Sequence, residues 1–181
     1  MNRIQKIFQD RTEKVIPFLT AGYPSKKDTV QMILASEKSG AAMVELGMPF
    51  SDPLADGPII EAASQKAIEN GVNIVWILEV VTEIRRESEI PLALMGYINP
   101  IINYGIGKFI HDCKLAGVDG LIIPDLPPEE ADELLQVAND AGICIILLVA
   151  PNTGNERIRE ISKLAGSLIY CVAILGITGE A

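Results

Sequence analysis

Six short apolar runs, most beginning about 25 residues apart with helix-period segments between them, restrict this chain to a repeating strand–helix architecture. The runs fall at residues 15–19, 42–46, 91–95, 118–123, 143–149 and 167–175. The clearest helix covers residues 128–141. Pro127-Pro128 starts it, Glu129 and Glu130 fill its positive first turn, and Ala131, Leu134, Leu135 and Ala138 recur on one face. Residues 25–28 read as a capping box ahead of Val30, Ile33 and Leu34, and Ile106, Phe109, Ile110 and Cys113 form another apolar stripe. Ser39-Gly40, Ala116-Gly117, Ala141-Gly142 and Ala165-Gly166 each close a helix just before a strand, as a left-handed glycine does.

Strands apolar throughout imply a parallel sheet covered by helices, either doubly wound or closed as a (β/α) barrel. Polar, Gly and Pro residues follow every strand: Thr20-Ala21-Gly22, Glu45-Leu46-Gly47, Asn99-Pro100, Pro124-Asp125, Pro151-Asn152 and Gly176-Ile177-Thr178-Gly179. Six strands presenting such residues at one end fit the catalytic face of a barrel better than a single crevice, and no GxGxxG follows the first strand. The gap between the second and third strands is longer. It holds a loop over 45–58 and helical stretches at 60–69 and 74–86, where a functional loop is expected. Eight units need ~250 residues. The expectation is therefore one (β/α)8 TIM-barrel-type domain over residues 1–181, truncated to about six βα units inside the sixth loop, with strands one and six as unpaired edges.

The formal net charge of −9, with no Lys/Arg cluster beyond pairs, argues against nucleic acid or an anionic membrane surface. A phosphorylated metabolite is still compatible, because backbone N–H groups at helix N-termini hold phosphate. Apolar runs such as 143–150 are too short for the ~20 residues of a membrane helix, and the N-terminus has no leader-like core. Cys113, Cys144 and Cys171 read as buried thiols in a reducing cytoplasm. No His/Cys/carboxylate spacing suggests a metal, and the lone His111 reads as a solvated helix position.

Chemistry concentrates in V-E-L-G-M-P-F-S-D-P-L-A-D-G-P, residues 44–58. Glu45 sits within an apolar strand, where an acid is either paired or has its pKa raised toward the range useful for proton transfer. On the residues alone, a structural ion pair and a catalytic acid are both open. Asp52 before Pro53 and Asp56 before Gly57 are turn formers by default, and Asp125 ahead of a helix reads as a cap or turn residue.

That stretch resembles the tryptophan synthase alpha chain family. I-P-F-L-T-A-G-Y-P (16–24), L-M-G-Y-I-N-P-I (94–101), G-V-D-G-L-I-I-P-D-L-P-P-E-E (117–130), L-V-A-P (148–151) and G-I-T-G (176–179) support the likeness in order. The resemblance implies a (β/α)8 barrel that cleaves indole-3-glycerol phosphate by a retro-aldol reaction to indole and glyceraldehyde 3-phosphate. It implies Glu45 as the acid/base that protonates indole C3, and Asp56 as the group that accepts the indole N–H. Phe18 and Tyr97 would line the indole pocket, Tyr170 would lie near Glu45, and Thr178 would hydrogen-bond Asp56. The partner would be the beta chain of an α2β2 complex, which carries the pyridoxal phosphate, with no cofactor in this chain. Its contact would fall on Pro49, Phe50, Ser51, Asp52, Pro53 and Leu54, and on Asn99, Pro100, Asn103 and Tyr104. The chain departs from the family pattern at Ala173, usually Ser, and at Asn152-Thr153-Gly154, commonly Thr-Thr-Pro. The phosphate-holding glycines and serine of strands seven and eight are absent from it. The alternative expectation is a non-catalytic fragment that folds or docks on the beta chain.

Overall fold

The computed structural model describes residues 2–9, 12–165 and 168–173. A short helix α1 (Arg3–Ile7) leads into six parallel strands: β1 (Phe18–Thr20), β2 (Val44–Gly47), β3 (Leu92–Met95), β4 (Gly120–Ile122), β5 (Cys144–Val149) and β6 (Ile169–Cys171). They lie side by side in chain order, β1 to β6. An order that never reverses is the winding of a (β/α) barrel; a doubly wound sheet reverses at its switch point. The connections carry α2 (Asp28–Lys38), α3 (Pro58–Glu69), α4 (Ile74–Ile84), α5 (Ile98–Tyr104), α6 (Ile106–Ala116), α7 (Asp132–Ala141) and α8 (Asn155–Leu164). Among the described residues, no helix is long and apolar enough to cross a membrane.

The two-residue alternation of the strands divides the core. Val44, Leu46, Leu92, Leu94, Leu121, Ile145 and Leu147 pack against Ile33, Ile77, Val81, Phe109 and Leu134 of the helices. Met43, Ala93, Ile122, Cys144 and Ile146 point to the other side and enclose Ile4 of α1. A Cβ on Gly120 would stand 2.6 Å from Ile4 Cδ1, so glycine at that position lets α1 plug the N-terminal end of the strands. Glu45 and Gly47 follow Met43 at intervals of two, so they share this inner face and rise toward the C-terminal end.

At the N-terminal end, buried Asp119 anchors the bottom of the sheet. Its Oδ2 accepts from Arg85 Nη2 at 2.8 Å and from the Leu92 N–H at 3.0 Å, while Oδ1 accepts from Arg3 Nη1 at 3.1 Å. Arg85 also donates to the carbonyls of Gly117, Ser88 and Ile90, so α4, β3, β4 and α1 meet at one ion pair.

Several local expectations change. Strand β1 begins three residues later than the apolar run. Pro17 still accepts from the Glu45 N–H at 3.0 Å but has no N–H to return. The helix expected over 128–141 divides into a 3₁₀ turn (Pro128–Glu130) and α7. The i→i+3 bond from the Ala131 N–H to Pro128 O, 3.3 Å, interrupts the ladder before Ala131 O accepts from Leu135. The capping box at 25–28 is not formed: Ser25 Oγ donates to Asp28 Oδ2 at 2.6 Å, and α2 starts at Asp28 without a side-chain cap. The capping box present is Asn2 with Gln5 on α1. Left-handed glycines do end α6 and α7, at Gly117 (φ 93) and Gly142 (φ 77). Gly40 also has positive φ, one residue beyond the α2 cap, and Gly166 lies outside the described residues. Cys113 and Cys144 are buried as expected, but Cys171 is exposed. Tyr170 turns to the inner face, so its neighbour Cys171 faces outward at the end of the last described strand. His111 is exposed on α6.

Removing the Asp119 carboxylate leaves the Arg85 guanidinium, 10% exposed, as a buried charge without its counterion. D119A therefore lowers the unfolding free energy by about 3–5 kcal/mol, read from urea midpoints at neutral pH; an unchanged midpoint would contradict this network.

Candidate active site

The backbone brings Glu45 into the barrel because its neighbours leave it no choice. Val44 and Leu46 are fully buried against the helices, so the residue between them must face inward. Register places Glu45 between Phe18 of β1 and Ala93 of β3, two apolar neighbours. The Glu45 residue is 7% exposed, and burial pushes its carboxyl from 4.5 up to about 7. Among the described residues, none of the ion pairs involves it. Tyr170 of β6 lies close enough that the Glu45 charge adds to burial in pushing up its phenol.

One layer nearer the C-terminal end, the loop after β2 carries Asp56 back over the barrel mouth. The Tyr97 hydroxyl accepts from the Ala55 N–H at 3.0 Å and lies beside the Asp56 carboxylate, close enough to affect its pKa. Burial holds the Asp56 carboxyl above its usual value, with a smaller push from the Glu61 charge and an opposing pull from the Tyr97 hydrogen bond. Phe18, Asp56 and Tyr97 line one cleft together with Gly47, Met48, Met95 and Pro124, and with Ile60 and Ser64 one turn apart on α3. A Cβ on Gly47 would meet the Phe18 ring at 2.4 Å; glycine at 47 is what lets that ring lie across the mouth. Glu45 does not line this cleft. Phe18 does, and Phe18 is the strand partner of Glu45, so the cleft begins one residue across the sheet from the Glu45 position. Free space in the cleft is about 20 Å³, room for about one water.

The residues proposed from sequence for partner contact lie outside this cleft. Ser51, Asp52, Leu54, Asn99 and Asn103 are exposed, and Pro49, Phe50, Pro53, Pro100 and Tyr104 are half-buried. Pro49, Pro100, Asn103 and Tyr104 border an open groove of about 790 Å³ with Lys26 and the first turns of α4. The Phe50 ring packs 5.4 Å from that of Tyr97, linking this face to the cleft. Asp52 accepts only from its neighbour Ser51 among the described hydrogen bonds, as a turn former would. Thr178 lies outside the described residues. Sequence reasoning missed Ile60 and Ser64 as cleft residues, although their one-turn spacing on a helix following the signature was available. No group of three or more His, Cys, Asp or Glu able to hold a metal occurs among the described residues.

Six parallel strands wound in chain order, with a buried carboxyl on the inner face and a second one in the loop at the C-terminal end, define a protein of the (β/α)-barrel class. The sequence profile of the tryptophan synthase alpha chain matches residues 4–181. The tryptophan synthase alpha chain of Petrotoga mobilis is 48% identical over 181 residues, covering all of this chain and 70% of that relative. The crystal structure of the tryptophan synthase alpha chain from Legionella pneumophila superposes with a TM-score of 0.91 at 39% identity, over 96% of this chain and 67% of that one. A structure of the tryptophan synthase α2β2 complex from Pyrococcus furiosus gives 0.85 at 40% identity, over 89% of this chain and 68% of that one. The chain belongs to the tryptophan synthase alpha chain family, carbon–carbon lyases of tryptophan biosynthesis.

The raised Glu45 pKa is also a stability statement. Between 4.5 and about 7 the folded chain holds a proton that the unfolded chain has released, so stability falls as pH rises through that window. E45Q removes the penalty. Its unfolding free energy relative to wild type is more favourable at pH 8.5 than at pH 4 by up to about 3 kcal/mol, measured by urea denaturation at both pH values; a difference independent of pH would refute the shift.

Proposed function

We propose that this chain cleaves indole-3-glycerol phosphate with Glu45 as the proton donor and acceptor and Asp56 as the electrostatic partner of the indole nitrogen. The observation that carries this reading is the burial of Glu45 on the inner face between Phe18 and Ala93, with no ion-pair partner among the described residues, which raises its pKa to about 7. The Glu45 carboxyl donates to indole C3, and the ring becomes an indoleninium whose N–H faces the Asp56 carboxylate. The carbinol O–H then gives its proton to the Glu45 carboxylate as the C3–carbon bond breaks. Those bonding electrons restore the indole double bond, and glyceraldehyde 3-phosphate leaves with its new carbonyl. Glu45 ends protonated, ready for the next turnover. Phe18 and Tyr97 would flank the indole ring, and Tyr170 would sit beside the glycerol hydroxyls. Thr178 is proposed as a further hydrogen-bonding partner of Asp56.

The proton transfers need only the Glu45 and Asp56 side chains; pyridoxal phosphate chemistry is assigned to the beta chain. That chain is the proposed partner, docking on Pro49 to Leu54 and on Asn99, Pro100, Asn103 and Tyr104. The exposed apolar groups on and beside these segments support this surface: Leu54 is 82%, Ile59 70% and Ile102 54% exposed. A reducing compartment accords with the buried Cys113 thiol, and the cytoplasm is the proposed setting.

E45Q retains the fold and loses ~10²–10⁴-fold in kcat for indole release; near-normal turnover would remove Glu45 from the mechanism. In the wild-type chain, kcat/KM declines on the alkaline side with an apparent pKa of about 7, as Glu45 loses the proton it must donate. A profile flat from pH 6 to 9, within assay error, would contradict that assignment. For the partner surface, L54D weakens association with the beta chain at least about tenfold in titration calorimetry while leaving the melting transition of the free chain unchanged; wild-type affinity would exclude Leu54 from the interface.

A further inference from the structure

The loop after β4 holds Tyr97 from two sides. Tyr97 stands between β3 and α5 with extended backbone (φ −94, ψ 154) and no side-chain cap of its own on α5. The N–H before it, on Gly96, donates to Ile122 O at 3.0 Å, at the end of β4. The N–H after it, on Ile98, donates to both carboxylate oxygens of Asp125, at 3.0 and 3.3 Å. Met48 packs closely over Gly96, where a Cβ would meet Met48 Cε at 2.7 Å. Tyr97 is 4% exposed, so its ring direction follows its backbone. Its hydroxyl in turn accepts from the Ala55 N–H at 3.0 Å, one residue before Asp56, and lies beside the Asp56 carboxylate.

We propose that Asp125 is a positioning residue for Asp56, acting through the Ile98 N–H and the Tyr97 hydroxyl. The proposal rests on the reading of Asp56 as partner of the indole nitrogen. Asp125 is not among the residues lining the cleft of Phe18, Asp56 and Tyr97. Its contribution is to fix the peptide that aims the Tyr97 phenol, and a carboxylate displaced by about 1 Å from a developing charge costs up to ~10²-fold in rate. The conventional alternative is a plain helix cap, which would stabilise α5 and leave turnover of the folded enzyme untouched.

The test is steady-state cleavage of indole-3-glycerol phosphate by D125A, D125N, Y97F and the D125A/Y97F pair, with D56N as reference. D125A lowers kcat about tenfold or more with a smaller change in KM. D125N keeps an oxygen for the Ile98 N–H and stays within about threefold of wild type. In the Y97F background, D125A adds little further loss, because the hydroxyl through which it acts is gone. Amide exchange gives a readout independent of turnover. The Ala55 N–H loses protection in D125A while strand amides such as Leu46 keep theirs, and the same comparison on D125N applies should D125A fail to fold. Three results overturn the proposal: wild-type kcat in D125A, equal impairment of D125N and D125A, or a full additional loss on the Y97F background. A fully active D56N is a separate outcome; it sinks the underlying reading of Asp56, and this proposal with it.

Discussion

A carboxyl group held inside an apolar barrel layer, between a phenylalanine and an alanine, is the constraint from which the rest of this site follows. Leaving water costs an ionised carboxylate several kcal/mol, and among the described residues no cation meets Glu45 to offset it. The group answers by keeping its proton to about pH 7. A structural role would call for an opposing charge, as at Asp119, where Arg85 and Arg3 both close on the carboxylate. The two buried acids thus separate by environment. Asp119 at the N-terminal end is paired and ties β3, β4 and α1 together, while Glu45 toward the C-terminal end has no ion-pair partner among the described residues and burial raises its pKa to about 7.

The same division runs along the strands. The N-terminal end is closed by α1, whose Ile4 fills the space that Gly120 leaves, and by the Arg85 network across β3 and β4. The C-terminal end is assembled from loops that hold each other: Asp125 grips the peptide after Tyr97, and Tyr97 grips the loop bearing Asp56. A rigid base and a mouth built from mutually braced loops is the economy of barrel enzymes, in which stability and chemistry occupy opposite ends. The same loops lead outward to Phe50, Leu54 and α5, so a partner seated there would press directly on the elements that orient Asp56.

What was readable in advance was whatever depends on neighbours in sequence. The six apolar runs became six strands, and the positive-φ glycines at 117 and 142 closed their helices, because period and cap chemistry are local. Glu45 stood out as an acid within an apolar run, and Phe18, Tyr97 and Asp56 entered through family motifs before the fold brought them to one cleft. What could not be read depends on distant partners. Arg85 and Asp119 are 34 positions apart, and nothing in either segment alone says that they meet. Asp125 and Ile98 are 27 apart, so Asp125 looked like a local cap when its carboxylate actually serves the preceding βα unit. The capping box at 25–28 failed for the opposite reason: its residues bond one another instead of the helix they precede.

The most direct test of this account is the titration of the Glu45 carboxyl carbon itself, followed by ¹³C NMR in the intact chain and assigned by its loss in E45Q. The account predicts a single midpoint near 7, displaced upward from the ordinary 4.5. A midpoint close to 4.5 would mean that the carboxylate is ionised and compensated in the fold, and the proposed proton donor would not exist at neutral pH.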